Sequence, residues 1–145
     1  MRGAVEVRRA RPDELARCQA IRREVFVEEQ GVPVDEEMDA HDALCTHLLA
    51  LRGGEAIGTG RLRVTDDGHV KAERVAVRRS CRRAGVGRAL MRGLEDAARA
   101  RGHRELVLNA QVPVVAFYER LGYRAEGPEF LEAGIPHRAM RKPLS

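Results

Sequence analysis

The stretch Arg74–Leu94, "RVAVRRSCRRAGVGRALMRGL", decides how this chain is read. An apolar alternation ends at Val77, and four arginines follow within Arg78–Arg83. Gly85 and Gly87 then open a helical pattern in which Val86, Leu90, Leu94 and Ala97 share one side. A helix start presents unpaired N–H groups and a partial positive charge. Glycine lets a ligand approach the main chain closely, and arginine adds charge-assisted hydrogen bonds. A phosphate or pyrophosphate is the natural guest. The competing reading is a glycine turn packed on a sheet beneath solvated arginines. Two nucleotide motifs are excluded. A P-loop needs Gly-Lys-Ser/Thr where Gly87 is followed by Arg88 and Ala89, and a GxGxxG fingerprint needs glycine at Leu90.

Working outward, residues 4–10 alternate as a first strand. Pro12, Asp13 and Glu14 start a helix that Leu15, Cys18, Ile21 and Val25 carry to about Glu28. Residues 29–43 are acidic and broken by Gly31 and Pro33. They read as a long loop with one helical turn near 36–40. Residues 45–52, 55–65 and 69–77 are strands joined by Gly53-Gly54 and Asp66-Asp67-Gly68, an antiparallel meander. The helix 85–101 ends at Gly102. On its outer side, the spacings Arg92–Glu95 and Glu95–Arg99 predict ion pairs. Strand 104–110 is reached by a helical crossover and is therefore parallel to 69–77. Residues 113–121 suit a short helix, and 123–130 with 137–144 suit a last pair of strands. Ligands of such sheets bind beyond the carboxyl ends of the parallel strands.

The 145 residues fit a single domain, 1–145, and 43% hydrophobic with 33% charged residues is a soluble globular balance. No apolar run reaches the roughly 20 residues that span a bilayer, and the N-terminus has no signal-peptide core, so a cytoplasmic protein is expected. Three cysteines without CxxC spacing fit a reducing compartment, and no metal site is expected. A net charge of +4 permits nucleic acid, membrane surface or phosphorylated small molecules and selects none of them.

Arg82-x-x-Gly85-x-Gly87 resembles the Q/R-x-x-G-x-G/A signature of the GNAT superfamily, the GCN5-related N-acetyltransferases. "LVLNAQVPVVAFYERLGYRAEG" resembles the next strand, helix and strand of that fold. "VFVEEQGVPVDEEMDAHDALCTHLLA" and "FLEAGIPHRAM" are similar to its ElaA/YjcF-like bacterial branch. The resemblance implies a mixed α/β (α+β) acyl-CoA N-acyltransferase fold. That fold has a mostly antiparallel sheet of about six to seven strands, a central parallel splay between the fourth and fifth, and about four helices. It implies acetyl-CoA as cosubstrate and no metal. The cofactor arm would meet the main chain of Val75, Ala76 and Val77, with Asn109 and Phe117 nearby. Its phosphates would lie on Arg82, Arg83, Ala84, Gly85, Val86, Gly87 and Arg88.

Three chemical tasks follow: deprotonating an amine, polarising a thioester carbonyl and protonating the departing thiolate. Tyr118 matches the family's tyrosine near the sulfur and is the expected acid. Glu73 is the expected base, and its alternative is a partner for Arg61, Arg63 or Arg74. His47 and His137 are further candidates. Pro113 stands where many members have Asn. Acids of the 29–43 loop and of residues 128–137, with Glu29, Asp39, His47, Glu132 and His137 as the named candidates, are expected to wall a pocket for a small-molecule amine or lysine-like acceptor. A homodimer is compatible with these features, and neither nucleic acid nor membrane is expected as partner. Two other readings stay open: a module that senses acetyl-CoA without turnover, and a basic nucleic-acid-binding protein. The second is weakened by 3% aromatic residues and no Trp for base stacking.

Overall fold

The computed structural model describes residues 3–145. Seven strands form one sheet: β1 (Val5–Arg9), β2 (Thr46–Arg52), β3 (Glu55–Val64), β4 (Val70–Val77), β5 (Glu105–Gln111), β6 (Arg124–Glu132) and β7 (Ile135–Pro143). Their order is β1-β2-β3-β4-β5-β7-β6. All neighbours are antiparallel except β4 and β5, which are parallel. The last hairpin folds back so that β7, not β6, lies against β5, an order the sequence reading left open. Four helices complete the fold: α1 (Leu15–Arg22), α2 (Val34–Glu37), α3 (Val86–Ala100) and α4 (Val115–Arg120). No helix of the described residues is long and apolar enough to cross a membrane.

α3 packs on one side of the sheet because its apolar positions recur every three or four residues. Val86, Leu90, Met91, Leu94 and Ala98 are buried while Arg88 and Arg92 are exposed. Each such aliphatic side chain contributes about 1.5–3 kcal/mol, so Leu90→Ala should cost about 2–5 kcal/mol. The expected outer ion pairs of Glu95 are not there. Glu95 is buried, accepts from the Tyr123 hydroxyl at 2.8 Å and from Lys142 Nζ at 3.1 Å, and leaves Arg99 to Asp96. Helical spacing alone ignored the strand that arrives beneath it.

The other side carries α1, which buries Cys18 and Ile21 on Leu49, Leu51 and Ala76. α1 runs on into a wider π-type turn, Arg23–Glu29, where Gln30 N–H reaches back to Val25 O. The helical turn expected near 36–40 lies at Val34–Glu37 instead, because Pro33 starts it and Met38 is already extended.

One irregularity positions everything that follows. Arg61 pairs with Glu73 and Thr59 with Ala76, so Gly60 alone faces both Arg74 and Val75. This is a β-bulge, and Arg74 sits in it at φ 55°, a left-handed conformation costly for a non-glycine residue. The extra residue reverses which face of β4 points where. Val70 and Ala72 pack toward α3 before the bulge, Val75 and Val77 do so after it, and Ala76 turns to α1. It also bends β4 away from β5. The two strands are paired at Lys71–Val107 and Ala72–Leu108, and beyond those pairs they separate.

Candidate active site

The gap between the diverging ends of β4 and β5 has main-chain groups on its lip. Arg78 N–H donates to Ile57 O on β3 at 2.9 Å. By strand alternation, the peptide groups of Val77 and Val75 therefore face the gap, and those of Ala76 face β3. The structure does not bring Ala76 to the gap. Its main chain serves β3 and its side chain is buried under α1.

Past Val77 the chain makes a short 3₁₀ turn, Arg79–Cys81, and enters the loop before α3. Arg83 at φ 67° and Gly85 at φ 77° both take left-handed backbone. At Gly85 this costs little, and followed by right-handed Val86 it turns successive N–H groups into one concavity suited to an anion. Residues 82–85 and Arg88 are exposed, and Val86 is buried in the core. Gly87 leaves room on the same turn. A Cβ there would meet the ring of Phe117 at 3.4 Å, so a larger side chain would fill the passage between α3 and α4. The loop and the gap thus fit a phosphate followed by an extended, amide-bearing arm.

Arg82 is already engaged. Its guanidinium makes a two-point pair with Glu29 at 2.6 and 2.7 Å, and its Nε donates to Val77 O at 3.0 Å. Glu29 was expected in an acceptor pocket, yet it reaches the arginine loop. Its neighbour Gln30 accepts from Gln111 Nε2 at 2.9 Å, at the end of β5. Residues 29–30 therefore tie both lips of the gap.

Tyr118 lies on α4, its ring edge-on to Phe117 at 5.0 Å and to Tyr123 at 5.8 Å. Burial pushes its hydroxyl up to about 12. The hydroxyl makes no hydrogen bond among the described residues, so it is protonated at neutral pH and free to donate.

Glu73 is poorly placed as a base. Its carboxylate receives Arg61 Nη2 at 2.6 Å and both Nε and Nη2 of Arg63, with Lys71 Nζ at 3.3 Å. Burial raises its pKa, but these cations outweigh burial and hold it at about 2. The partners foreseen as its alternative role are present except Arg74, which Lys71 replaces. Arg74 instead points at Glu37 and Asp39, which secure the strained bulge.

Glu73 belongs to a larger buried cluster. Arg22 and Arg61 are 0% and 1% exposed. Arg22 binds Glu37 at 3.0 Å and Asp42 at 2.8 Å, and Arg61 binds Asp39, Asp42 and Glu73. Burial raises Asp42 and Asp39, but their arginine partners win and hold both below the usual carboxylate range. Asp39 is consequently neutralised by Arg61 and Arg74 and offers no free charge to an amine. His47 is buried two strands from the gap, its Nε2 bonded to Asp42 O at 2.8 Å, and burial lowers its pKa. Sequence reasoning missed Arg22 and Arg61 as organisers of this cluster. The available signal was an arginine on the buried stripe of a helix, one residue after Ile21 and four after Cys18.

On the β5 side, Asn109, Gln111 and His137 lie on the face away from α3. Asn109 Nδ2 donates to Glu132 Oε1 at 3.1 Å, and the buried His137 sits 3.6 Å from the other oxygen of Glu132. Asn109 also borders an open cleft of 330 Å³ with Lys71, Val107, Ala139 and Arg141. No group of three or more potential metal ligands occurs among the described residues.

Comparison with known proteins agrees with this architecture. The family model for the acetyltransferase (GNAT) domain matches residues 12–144. The protein named "Uncharacterized N-acetyltransferase YjcF" of Bacillus subtilis (strain 168) is 46% identical over 123 residues, 84% of this chain and 87% of that protein. An acyl-CoA N-acyltransferase from Pseudomonas aeruginosa is 33% identical with a TM-score of 0.81, covering 96% of this chain and 98% of that one. Escherichia coli ElaA is 26% identical with a TM-score of 0.83, covering 96% and 99%. The chain belongs to the GNAT family of N-acetyltransferases.

Proposed function

We propose that this GNAT acetyltransferase carries the acetyl group of acetyl-CoA to a primary amine by direct attack within a ternary complex. The observation that supports this most is the join of three features at one place. The bulge-driven gap has the peptide groups of Val75 and Val77 on its lip, the left-handed Gly85 turn stands at its mouth, and the unbonded Tyr118 hydroxyl belongs to the adjoining helix. Acetyl-CoA would supply the activated acetyl thioester. The N–H groups from Arg83 to Arg88 would receive its phosphates, with Arg88 available as a side-chain partner and Arg82 once Glu29 yields it. Val75 and Val77 would hold the amides of the arm, and Phe117 would wall it.

Tyr118 is the proton donor in this reading, since a hydroxyl at about 12 keeps its proton until a thiolate needs it. Glu73 is a structural carboxylate that fixes Arg61 and Arg63, and the base lies elsewhere. The acceptor approaches from the face away from α3. With Glu29, Glu37, Asp39 and Asp42 of the 29–43 loop paired to arginines, Glu132 and His137 are the polar groups offered to it beside β5, while Asp39 and His47 support the wall from behind. Tyr118→Phe should lower kcat by about 10²–10⁴-fold and leave CoA affinity within about twofold. Steady-state rates across an amine panel, with calorimetry of CoA binding, measure both. An unchanged kcat where chemistry limits the rate overturns the acid role.

A further inference from the structure

The corner formed by Asn109, Phe130, Glu132 and His137 turns an imidazole nitrogen and a carboxylate oxygen toward one another. His137 Nδ1 lies 2.7 Å from Ile135 O. A carbonyl oxygen accepts only, so Nδ1 carries a hydrogen in every protonation state of the ring. The tautomer of the neutral ring is thereby fixed, and its lone pair is on Nε2. Nε2 makes no hydrogen bond among the described residues, and it stands 3.6 Å from Glu132 Oε2. Glu132 is turned toward it because Asn109 Nδ2 holds the other oxygen at 3.1 Å. The Phe130 ring lies roughly parallel to the imidazole, at 6.1 Å between centroids and 26° between planes, and flanks one of its faces. With the imidazole neutral, two acceptors face each other, an arrangement that suits a guest with two N–H donors.

The corner also has the right address. His137 pairs with Gln111 and Ala139 with Asn109, so β7 lies directly beside the β5 lip of the gap. His137 is 6% exposed while Glu132 is open to solvent, so a guest would enter over the carboxylate and end at Nε2.

We propose that Glu132 and His137 form the subsite for the acceptor's alkylammonium group, with His137 Nε2 taking the proton that frees the amine to react. This rests on the acetyltransferase reading above. The ammonium donates one N–H to Glu132 Oε2 and one to Nε2. The second N–H bond breaks, its proton stays on Nε2 as an imidazolium paired with Glu132, and the electron pair remains on the amine nitrogen for attack on the acetyl carbon. Asn109 is a positioning residue that aims Glu132. Phe130 contributes an apolar wall suited to the alkyl part of the guest.

The test is histidine ¹⁵N NMR on the full chain, titrated with 1,4-diaminobutane and, as control, with succinate. The Nε2 resonance of His137 should move saturably with the diamine and not with succinate, while Nδ1 keeps its proton. Glu132→Gln should weaken diamine binding by about tenfold or more, the usual scale for losing a charge-assisted hydrogen bond. His137→Gln should lower kcat for diamine acetylation and leave CoA affinity by calorimetry unchanged. A His137 signal indifferent to the diamine, or equal diamine affinity in Glu132→Gln, overturns the subsite. An intact subsite in a chain that fails to bind CoA would instead overturn the acetyltransferase reading.

Discussion

Two arginine-rich regions stand on either side of β4, and they use the same residue in opposite ways. In the loop before α3 and the first turn of that helix, Arg83 and Arg88 are exposed, and in the proposed function an anion is met by main-chain N–H groups shaped by Gly85 and Gly87. Beneath the 29–44 segment, Arg22 and Arg61 are sealed from water and every hydrogen bond goes to a carboxylate or carbonyl of the protein. In the proposed function the first region is charge held ready for a ligand. The second is charge consumed in holding a loop on the sheet. A buried pair is strongly destabilising only when broken, because the partner left behind stays desolvated.

The largest expected effect follows from that asymmetry. Arg61→Met leaves Asp39, Asp42 and Glu73 without their shared cation and should cost about 3–5 kcal/mol of unfolding free energy. Arg83→Met in the exposed loop should stay within about 0.5 kcal/mol. Urea unfolding of the two variants measures the contrast, and equal losses would erase the distinction between the regions.

Acid should reveal the same difference. Glu73 is held at about 2 in the folded chain against 4.5 ordinarily, and Asp39 and Asp42 are also lowered. A depressed folded pKa means the unfolded chain binds protons first as pH falls. The stabilisation is therefore complete above about pH 4.5 and is lost progressively toward pH 2. For Glu73 it is on the order of 3 kcal/mol. Urea midpoints from pH 6 to pH 3 should fall more steeply for the parent than for Glu73→Gln, which removes one titrating group. Parallel slopes would show that Glu73 does not carry the linkage.

How much of this was legible beforehand divides along the same line. The conformation of the loop before α3 was readable because it follows local rules: an apolar run, glycines at a helix start, arginines between. The strands and α3 were readable from their periods. The bulge was not, since Arg74 occupies a backbone conformation that favours glycine and only the distant Glu37 and Asp39 hold it there. The acidic loop was misjudged for a related reason. Counting Asp39 and Asp42 as charge available to a ligand ignores arginines that reach them from nineteen to thirty-five residues away, and sequence spacing carries no trace of such pairs. Glu95 failed likewise, its partners Tyr123 and Lys142 arriving from the residue before β6 and from β7.

A smaller effect tests the loop itself. Gly87→Asp places a carboxylate where a bare turn now faces Phe117, adding both bulk and repulsion toward a phosphate. CoA affinity should fall by about tenfold or more, equivalent to about 1.4 kcal/mol, with urea stability nearly unchanged. Unaltered affinity in the folded variant would move the phosphate away from this turn.

The smallest effect lies where the two regions touch. Arg82 belongs to the loop proposed to hold phosphate but is claimed by Glu29, whose carboxyl the arginine holds below its usual range. Both side chains are about one third exposed, at 37% and 29%, so solvent screens the pair and its worth is about 0.5–1 kcal/mol. A phosphate that takes Arg82 must first displace that carboxylate. Glu29→Gln removes the competitor, so CoA should bind about two- to fivefold more tightly by calorimetry, and the gain should vanish when Arg82 is also changed to Gln. Weaker binding in Glu29→Gln would reverse the interpretation. Glu29 would then be the residue that aims Arg82 at the phosphate, and the strap formed with Gln30 would belong to the binding site as a fixed part of its wall.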